Sequence, residues 1–132
     1  MAGVWHDQGE NNILDAYFKG ANRPAGWYLG LYTNNAALAE AATLADITEP
    51  ADVGYSRQAL IDDDWVLTDS QVAATQQTFE PSAGSITVYG WFLTDAASGT
   101  SGKLLASELF PDGPYVVTVG GNIKVTPKIT AS

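Results

Sequence analysis

The chain contains no cysteine and a single histidine, His6, among its 132 residues. Without cysteine it has no disulfide, no thiol nucleophile and no thiolate metal ligand. His6 lies in a polar N-terminal segment and no Gly-x-Ser-x-Gly motif is present, so a histidine-activated nucleophile is not predicted. A hydrolase with paired carboxylates stays open, because the sequence alone does not pair its many aspartates and glutamates.

Motifs that bind ions or cofactors are missing as well. The run Asp62–Asp64 with Asp69 has neither the alternating ligands nor the central glycine and distal glutamate of an EF-hand loop. The glycines do not form the Gly-x-x-x-x-Gly-Lys-Ser/Thr loop that holds phosphates. We therefore predict no cofactor and no metal site, and we interpret the aspartate run as a solvated turn.

Positive charge is scarce. The chain has 6 lysines and arginines against 15 aspartates and glutamates, a formal net charge of −9. Nucleic acids and anionic membranes both attract clustered basic side chains, so neither is predicted as a partner. Between Pro24 and Gly102 the only basic residue is Arg57. We interpret it as the ion-pair partner of a nearby carboxylate, with recognition of a partner protein's carboxylate as the alternative.

Long apolar runs are also absent. None approaches the ~20 residues of a membrane-spanning helix. The N-terminus does not have the basic and apolar regions of a signal peptide. We therefore expect a soluble chain made in the cytoplasm, which can still leave the cell on a particle.

Apolar and turn-forming residues are abundant. Hydrophobic residues make up 45% of the chain and there are 13 glycines, which favours one globular domain over residues 1–132. Runs of β-branched and aromatic residues alternate with turn signals about every 8 to 12 residues. The predicted fold is mainly β, an antiparallel β-sandwich of about seven or eight strands with one short N-terminal α-helix.

The helix is predicted over Glu10–Lys19. Asp7 and Glu10 have the spacing of a capping box, and Gly20 is placed to end the helix. Four apolar residues follow at helical spacing and are expected to pack on a sheet: Ile13, Leu14, Tyr17 and Phe18.

Two stretches are predicted to form the middle of the sandwich, Ser85–Asp95 and Trp27–Thr33, because both of their faces are apolar. Gly90 leaves room there for another backbone or a large ring. Near the C-terminus, Tyr115–Val119 and Ile123–Ile129 are predicted to pair as a hairpin across a Gly-Gly-Asn turn.

Two segments stand outside the strand pattern and are predicted to dock on a partner. The first is the N-terminal segment 1–9; the second is the acidic, alanine-rich excursion 34–53, with a short helix near Thr43–Ile47. Of the tryptophans, Trp27 and Trp91 are assigned to the core. The candidate partner-contact residues are Trp5, His6, Glu40, Asp46, Glu49, Arg57 and Trp65.

The order of several short motifs resembles a known family. The motifs are Trp27–Thr33, Ala42–Pro50, Gly54–Leu60, Thr78–Pro81, Val88–Asp95, Gly102–Leu105 and Lys124–Ile129. From about Ile13 to Ile129 the chain resembles small virion structural proteins of tailed bacteriophages, labelled tail-fibre, minor structural or head-decoration proteins. Members have a glycine-rich segment where this chain has its excursion. The resemblance implies a β-sandwich without catalytic residues that attaches to a capsid or tail in many copies.

The first hypothesis is a non-enzymatic capsid decoration (cement) protein. It would be assembled in the host cytoplasm and would bind the outer surface of the major capsid protein in the virion, as a homo-oligomer. The alternative is a tail-associated protein of a fibre, baseplate or tube, with other tail proteins as partners. A third hypothesis is a carbohydrate-binding module that uses Trp5 and Trp65, and a glycosidase is the last.

Overall fold

The computed structural model describes residues 4–130, which form twelve β-strands and one α-helix. The helix, α1, spans Asp7–Lys19. Leu44–Asp46 and Asp62–Asp64 are short 3₁₀-helices. The strands are Val4–Trp5 (β1), Trp27–Tyr32 (β2), Gln58–Leu60 (β3), Trp65–Thr68 (β4), Gln71–Ala74 (β5), Gln77–Phe79 (β6), Ile86–Val88 (β7), Gly90–Thr94 (β8), Leu104–Leu109 (β9), Tyr115–Val117 (β10), Ile123–Val125 (β11) and Lys128–Thr130 (β12). The predicted mainly β, antiparallel class with one N-terminal helix is confirmed, but the strands are shorter and more numerous than predicted.

Five strands form the largest sheet, in the order β1-β9-β8-β2-β3, and all its pairs are antiparallel. β2 and β8 are neighbours in its middle, as predicted. Gly90 lies against the ring of Tyr32, and Gly30 lies against the ring of Phe92. Each glycine therefore provides the space that an aromatic ring of the neighbouring strand fills, which confirms the expectation for Gly90.

Alternate residues of the large sheet point to opposite faces, and each face is covered. On one face Leu29, Leu31, Trp91 and Leu93 pack against side chains of the smaller sheets β12-β5-β4, β11-β6 and β10-β7. Phe79 is among the largest side chains buried between these layers. Two layers with their core between them are a sandwich.

The other face is covered by the excursion. Leu38, Ala42 and Leu44 of the excursion pack on Tyr32 and Phe92 of the sheet. The 3₁₀-helix Leu44–Asp46 lies within the segment Thr43–Ile47, where a short helix was predicted. The excursion thus closes a second core with its apolar side chains, while its Glu40 and Asp46 side chains are exposed.

The stretch Ser85–Asp95 forms two strands instead of the predicted one. β7 pairs with β10, whereas β8 pairs with β2 and β9. The chain changes layer at Tyr89, whose N–H donates to the Tyr32 carbonyl at 2.9 Å and whose carbonyl accepts from the Phe110 N–H at 2.8 Å. Both strands are largely buried, so the segment is apolar on both faces. A single buried strand has the same sequence pattern, which is why one strand was predicted.

The predicted C-terminal hairpin is wrong. The Gly121 N–H donates to the Thr118 carbonyl at 2.9 Å, so the turn forms where it was expected. However, β10 pairs with β7, and β11 pairs with β6. The turn residues bend the chain, but burial in different parts of the sandwich decides which strands pair.

α1 begins at Asp7, before the predicted start at Glu10. His6 occupies the N-cap position, and no side chain there bonds the first turn, so the predicted capping box of Asp7 and Glu10 does not form. The helix ends as predicted, with Gly20 in the left-handed conformation at φ 64°.

Candidate interaction surface

An open, mostly apolar groove of about 500 Å³ lies between α1 and the strands. Trp5, Trp27 and Trp65 line it, and Ile13 and Tyr17 of α1 border it. The groove therefore brings together two of the residues predicted to contact a partner, Trp5 and Trp65. Trp27, assigned to the core from the sequence, is half-buried in its wall, whereas Trp91 is in the core as predicted.

One corner of the groove is polar. The rings of Trp27 and Trp65 meet edge to face with their centroids 5.9 Å apart. The Arg23 guanidinium lies 5.6 Å from the centre of the Trp27 ring and pairs with Asp62 at 3.1 Å. Both charged side chains are more than half exposed, so this ion pair contributes little to stability. The corner offers one cation, one carboxylate and two indole rings to anything that enters.

The outward face of α1 is apolar where it borders the groove. Tyr17 is 81% and Phe18 is 74% exposed, and their rings meet edge to face at 5.0 Å. Ile13 and Leu14 are about half exposed. The prediction that these four residues pack on a sheet is wrong. We call Ile13, Leu14, Tyr17 and Phe18 the helix patch.

The opposite face of α1, made of small and polar residues, is the one that packs on β9. Gly9 and Asn12 are the buried residues of the helix. The Asn12 amide donates to the Asn22 carbonyl at 2.8 Å, and the Gln8 side-chain oxygen accepts from the Leu104 N–H at 2.9 Å. Gly9 lets the helix axis approach the backbone of Leu105. The sequence analysis did not predict that this face packs on the sheet. The feature that could have indicated it is the spacing of Gly9, Asn12 and Ala16, which places small and polar residues on one face of the helix.

The described part of the N-terminal segment, Val4–Gly9, is built into the fold. β1 pairs with β9, and His6 is fully buried. The two ring nitrogens of His6 lie 2.8 Å from the Ser107 hydroxyl and 3.2 Å from the Glu40 carbonyl. Burial lowers the pKa of His6, against a smaller raising effect of its neighbours. Residues 1–3 of the predicted docking segment lie outside the described residues.

His6 therefore joins three elements, α1, β9 and the excursion, through neutral hydrogen bonds. The Asp7 N–H adds a bond of 3.0 Å to the same Glu40 carbonyl. The Glu40 side chain is exposed. A contact of Glu40 with a partner stays a prediction, while His6 has no exposed atom to offer.

Arg57 and Glu49, both predicted to contact a partner, bind each other. The Arg57 Nε and Nη2 atoms donate to the two Glu49 carboxylate oxygens, each at 3.0 Å. The guanidinium also donates to the carbonyls of Ala96 and Gly99 at 2.9 Å. This matches the expectation of an ion pair that fixes loops. It holds the excursion and the 95–102 connection against the sheet.

Tyr55 completes this buried cluster. Its hydroxyl donates to Glu49 at 2.7 Å and accepts from the Leu31 N–H at 3.0 Å. Burial, together with the bond to Glu49, raises the pKa of Tyr55. The cluster satisfies its own charges and leaves no reactive group, so it stabilises the fold. Asp46 lies apart on the excursion, where its exposed carboxylate accepts from the Thr43 N–H at 2.9 Å and caps the 3₁₀-helix.

The carboxylate of Asp52 is held mainly by backbone N–H groups, with the Ser82 hydroxyl as a further donor at 3.5 Å. It accepts from the N–H groups of Gly54, Ser82, Ala83 and Gly84 at 2.7 to 2.9 Å. These bonds lower the pKa of Asp52 to about 2. The arrangement ties the end of the excursion to the turn before β7. Across residues 4–130, no three acidic, histidine or cysteine side chains cluster closely enough to hold a metal ion.

The sequence matches one known family over almost all of its length. The family is described as podophage GP4 fiber I protein gp80, and it matches residues 5–128. No curated protein matches the chain. No helix within residues 4–130 is long and apolar enough to cross a membrane.

Proposed function

Because this chain belongs to the family of the podophage GP4 fiber I protein gp80, and so to the structural proteins of phage virions, we propose that it is a tail-fibre component without enzymatic activity. The family match covers residues 5–128, which include the sandwich and α1. We propose that the unit with this role is a single domain over residues 1–132. The two core clusters support this, because they share the five-stranded sheet.

The observation that carries the proposal is the exposure of the helix patch beside the apolar groove. Contiguous apolar surface of this kind marks a site that another molecule covers. A structural virion protein needs such a surface, because it works by being held in a particle. The clusters with the most polar contacts lie around Arg57 and His6. Their hydrogen bonds are made to other residues of the same chain.

Capsid decoration was the first expectation from the sequence, and the tail now replaces it as the favoured location. The reason is the family description, which names a fiber protein. Both locations require a virion structural protein with an exposed binding surface. They differ in the partner, which is a tail protein in one case and the major capsid protein in the other.

Gold-labelled antibody against this chain, applied to intact particles and viewed by electron microscopy, separates the two locations. The proposal predicts gold at the tail and none over the head. Gold distributed over the head surface would overturn the fibre role in favour of decoration. Particles stripped of tails serve as the control, since they should lose the label.

A carbohydrate-binding role is a second candidate, favoured by one observation. Three tryptophans line a single groove whose polar corner carries Arg23 and Asp62. Sugars stack on exposed indole rings and hydrogen-bond to charged side chains beside them. A glycan array with the wild type, Trp65→Ala and Trp5→Ala tests this role. Binding that both variants lose supports it, and no binding to any glycan removes it.

A further inference from the structure

We propose that the open edge of β4 binds an extended, basic segment of a neighbouring virion protein, which adds a fourth strand to the sheet β12-β5-β4. The inference rests on the proposed function, because the particle supplies the neighbouring protein. It goes beyond that function by naming a second contact surface and the chemistry of its partner. Three features carry it: the direction of the backbone groups of β4, its exposed apolar side chains, and the charges at its two ends.

β4 is an edge strand whose outer side is open. Among the described residues it pairs with β5 alone, and it is the last strand of the sheet β12-β5-β4. Val66 and Leu67 are 65% and 76% exposed, and Thr68 is exposed as well. Alternate residues of a strand point to opposite faces, so the edge has an uncovered apolar side chain on each face. An exposed apolar edge of this kind pairs readily with another strand.

The pairing register shows which backbone groups of β4 are free. Antiparallel strands alternate between hydrogen-bonded and non-hydrogen-bonded residue pairs. The Asp64 carbonyl accepts from the Thr75 N–H at 2.9 Å, so these two residues form a bonded pair. Leu67, opposite Val72, is three positions further along the same register and belongs to a non-bonded pair. The N–H and C=O of Leu67 therefore point away from β5, towards the open side.

Two further hydrogen bonds agree with this assignment. The Ala74 N–H donates to the Pro127 carbonyl at 3.0 Å, so Ala74, which lies opposite Trp65, turns its N–H away from β4. The Trp65 N–H donates to the Asp62 carbonyl of the preceding 3₁₀-helix, which leaves the Trp65 C=O for the open side. The edge thus offers one N–H and two C=O groups at strand spacing, from Leu67 and Trp65. The backbone of an extended peptide complements such a row of groups.

Negative charge stands at both ends of the strand. Asp63 precedes β4 and Asp69 follows it in the turn, and both side chains are exposed. Neither forms an ion pair with another of residues 4–130, and the exposed ion pair of this region joins Arg23 to Asp62. The two free carboxylates are roughly 15 to 20 Å apart along the strand. A partner strand with a lysine or arginine near each end, five or six residues apart, is complementary to them.

The other charged side chains of this sheet and its ends do not reverse the balance. The Asp64 carboxylate accepts from the Ile61 N–H at 2.8 Å and from the Thr75 hydroxyl at 3.2 Å, and it adds negative charge at the same end as Asp63. Lys128 of β12 is the one basic residue within the three strands, and β5 separates it from β4. Two strand spacings amount to about 10 Å. The edge is therefore acidic where a partner strand would begin and end.

A second copy of β4 does not fit this edge. A two-fold axis perpendicular to the strands would pair β4 antiparallel with its copy and place Asp63 of each copy beside Asp69 of the other. A two-fold axis along the strands would pair them in parallel and place each aspartate beside its own copy. Both arrangements bring like charges together at both ends, which opposes pairing. A basic segment of a different protein meets opposite charges instead.

A synthetic peptide tests the proposal in solution. The probe is acetyl-Lys-Thr-Val-Thr-Val-Lys-amide, whose lysines are five positions apart, about 17 Å in an extended chain. Added in millimolar excess to the isotope-labelled protein, it should shift the amide NMR signals of Val66, Leu67 and Thr68 more than those of the helix patch. The same peptide with glutamate in place of both lysines should bind at least tenfold more weakly. No shift at β4, or equal binding of the two peptides, would overturn the proposal.

Leu67→Pro separates strand pairing from attraction by charge. Proline removes an N–H that points to the open side, so the bonds between β4 and β5 should remain, and the melting temperature should stay near that of the wild type. The dissociation constant of the peptide should rise at least tenfold. A peptide N-methylated on its four inner residues should bind the unchanged protein as weakly, because it cannot pair as a strand. Undiminished binding of the methylated peptide would show that no strand is added.

Charge reversal tests the chemistry of the partner. Asp63→Lys/Asp69→Lys should weaken binding of the lysine peptide about tenfold and strengthen binding of the glutamate peptide. Asp112→Lys, at an exposed position in the turn before β10, is the control and should change neither by more than about twofold. If the double variant binds the lysine peptide as the wild type does, the aspartates do not select a basic partner. These measurements use the free protein, so they stand apart from the labelling of particles that tests the fibre role.

Discussion

The backbone of Gly9 lies against the backbone of Leu105, so closely that a Cβ on Gly9 would stand 2.8 Å from the Leu105 Cα. Only glycine fits at that distance. The contact fixes which face of α1 packs on β9, and it turns the helix patch outward. The stability of a variant with Gly9 replaced therefore tests whether this close packing orients α1 and keeps the helix patch exposed.

Gly9→Ala should lower the free energy of unfolding by about 2 kcal/mol, because the new methyl group displaces the helix from β9. This is opposite to the gain of up to about 1 kcal/mol that alanine brings inside a helix without such a contact. Urea denaturation measures the difference. Asn11→Ala, at an exposed position of the same helix, is the control and should change stability by no more than about 0.5 kcal/mol. A Gly9→Ala variant more stable than the wild type would contradict the close packing.

Arg57→Ala should cost about 3 kcal/mol of stability, because the Arg57 side chain is 4% exposed and its loss leaves the Glu49 carboxylate without its partner. Arg57→Lys should cost less but still destabilise, since one ammonium does not reach both carboxylate oxygens and two carbonyls. Chemical denaturation of both variants measures this. Arg23→Ala removes an exposed ion pair and should cost under about 1 kcal/mol. If Arg57→Ala and Arg23→Ala lowered the free energy of unfolding equally, the buried ion pair would stabilise the fold no more than the exposed one.

His6 should make the fold less stable as pH falls through the usual histidine range. Burial lowers the pKa of His6 below 6.5, while the backbone carbonyls of Glu40 and Ala39, and after them the Asp7 and Glu40 charges, oppose the shift without reversing it. The unfolded chain then binds a proton at a higher pH than the folded chain. The contribution to stability is complete above about pH 6.5 and is lost as pH falls below it, towards the lowered pKa.

Thermal unfolding between about pH 7.5 and pH 5, compared with His6→Gln, measures this dependence. The wild type should lose melting temperature over this range, and the variant should lose less. Identical slopes for the two proteins would show that His6 does not titrate differently in the folded chain.

Asp52 should stabilise the fold only while it is ionised. Its pKa is lowered to about 2 by hydrogen bonds from Ser82, Ala83 and Gly54, so the folded state favours the carboxylate. The contribution is present above the ordinary aspartate pKa of about 3.9 and is lost as pH falls towards 2. Asp52→Asn should be less stable than the wild type near neutral pH, and the gap should close in acid. The exposed Asp63→Asn is the control, and a gap of constant size across pH would refute the carboxylate's role.

The pattern of apolar residues and the turn-forming residues predicted the mainly β architecture with one N-terminal helix. The apolar residues on both faces of Trp27–Thr33 and of the second half of Ser85–Asp95 identified the two middle strands, and Gly20 marked the end of α1. The strand partners near the C-terminus were not predictable, because the Gly-Gly-Asn turn fits a hairpin equally well. Only burial in the whole sandwich separates β10 from β11.

The outward direction of α1 was missed because apolar residues at helical spacing usually face a core. Here the helix packs through Gly9 and Asn12, which carry little hydrophobic signal. The candidate residues divide in the same way. Trp5 and Trp65 reach the groove, whereas His6, Glu49 and Arg57 bind other parts of the same chain, and a sequence does not reveal that its polar residues satisfy one another.

A cryo-EM map of the intact particle, at a resolution that shows side chains, tests the central claim most directly. The account predicts the sandwich in the tail, with the rings of Tyr17 and Phe18 covered by another chain at a protein interface. The domain on the head surface, or in the tail with the helix patch facing solvent in every copy, would contradict it.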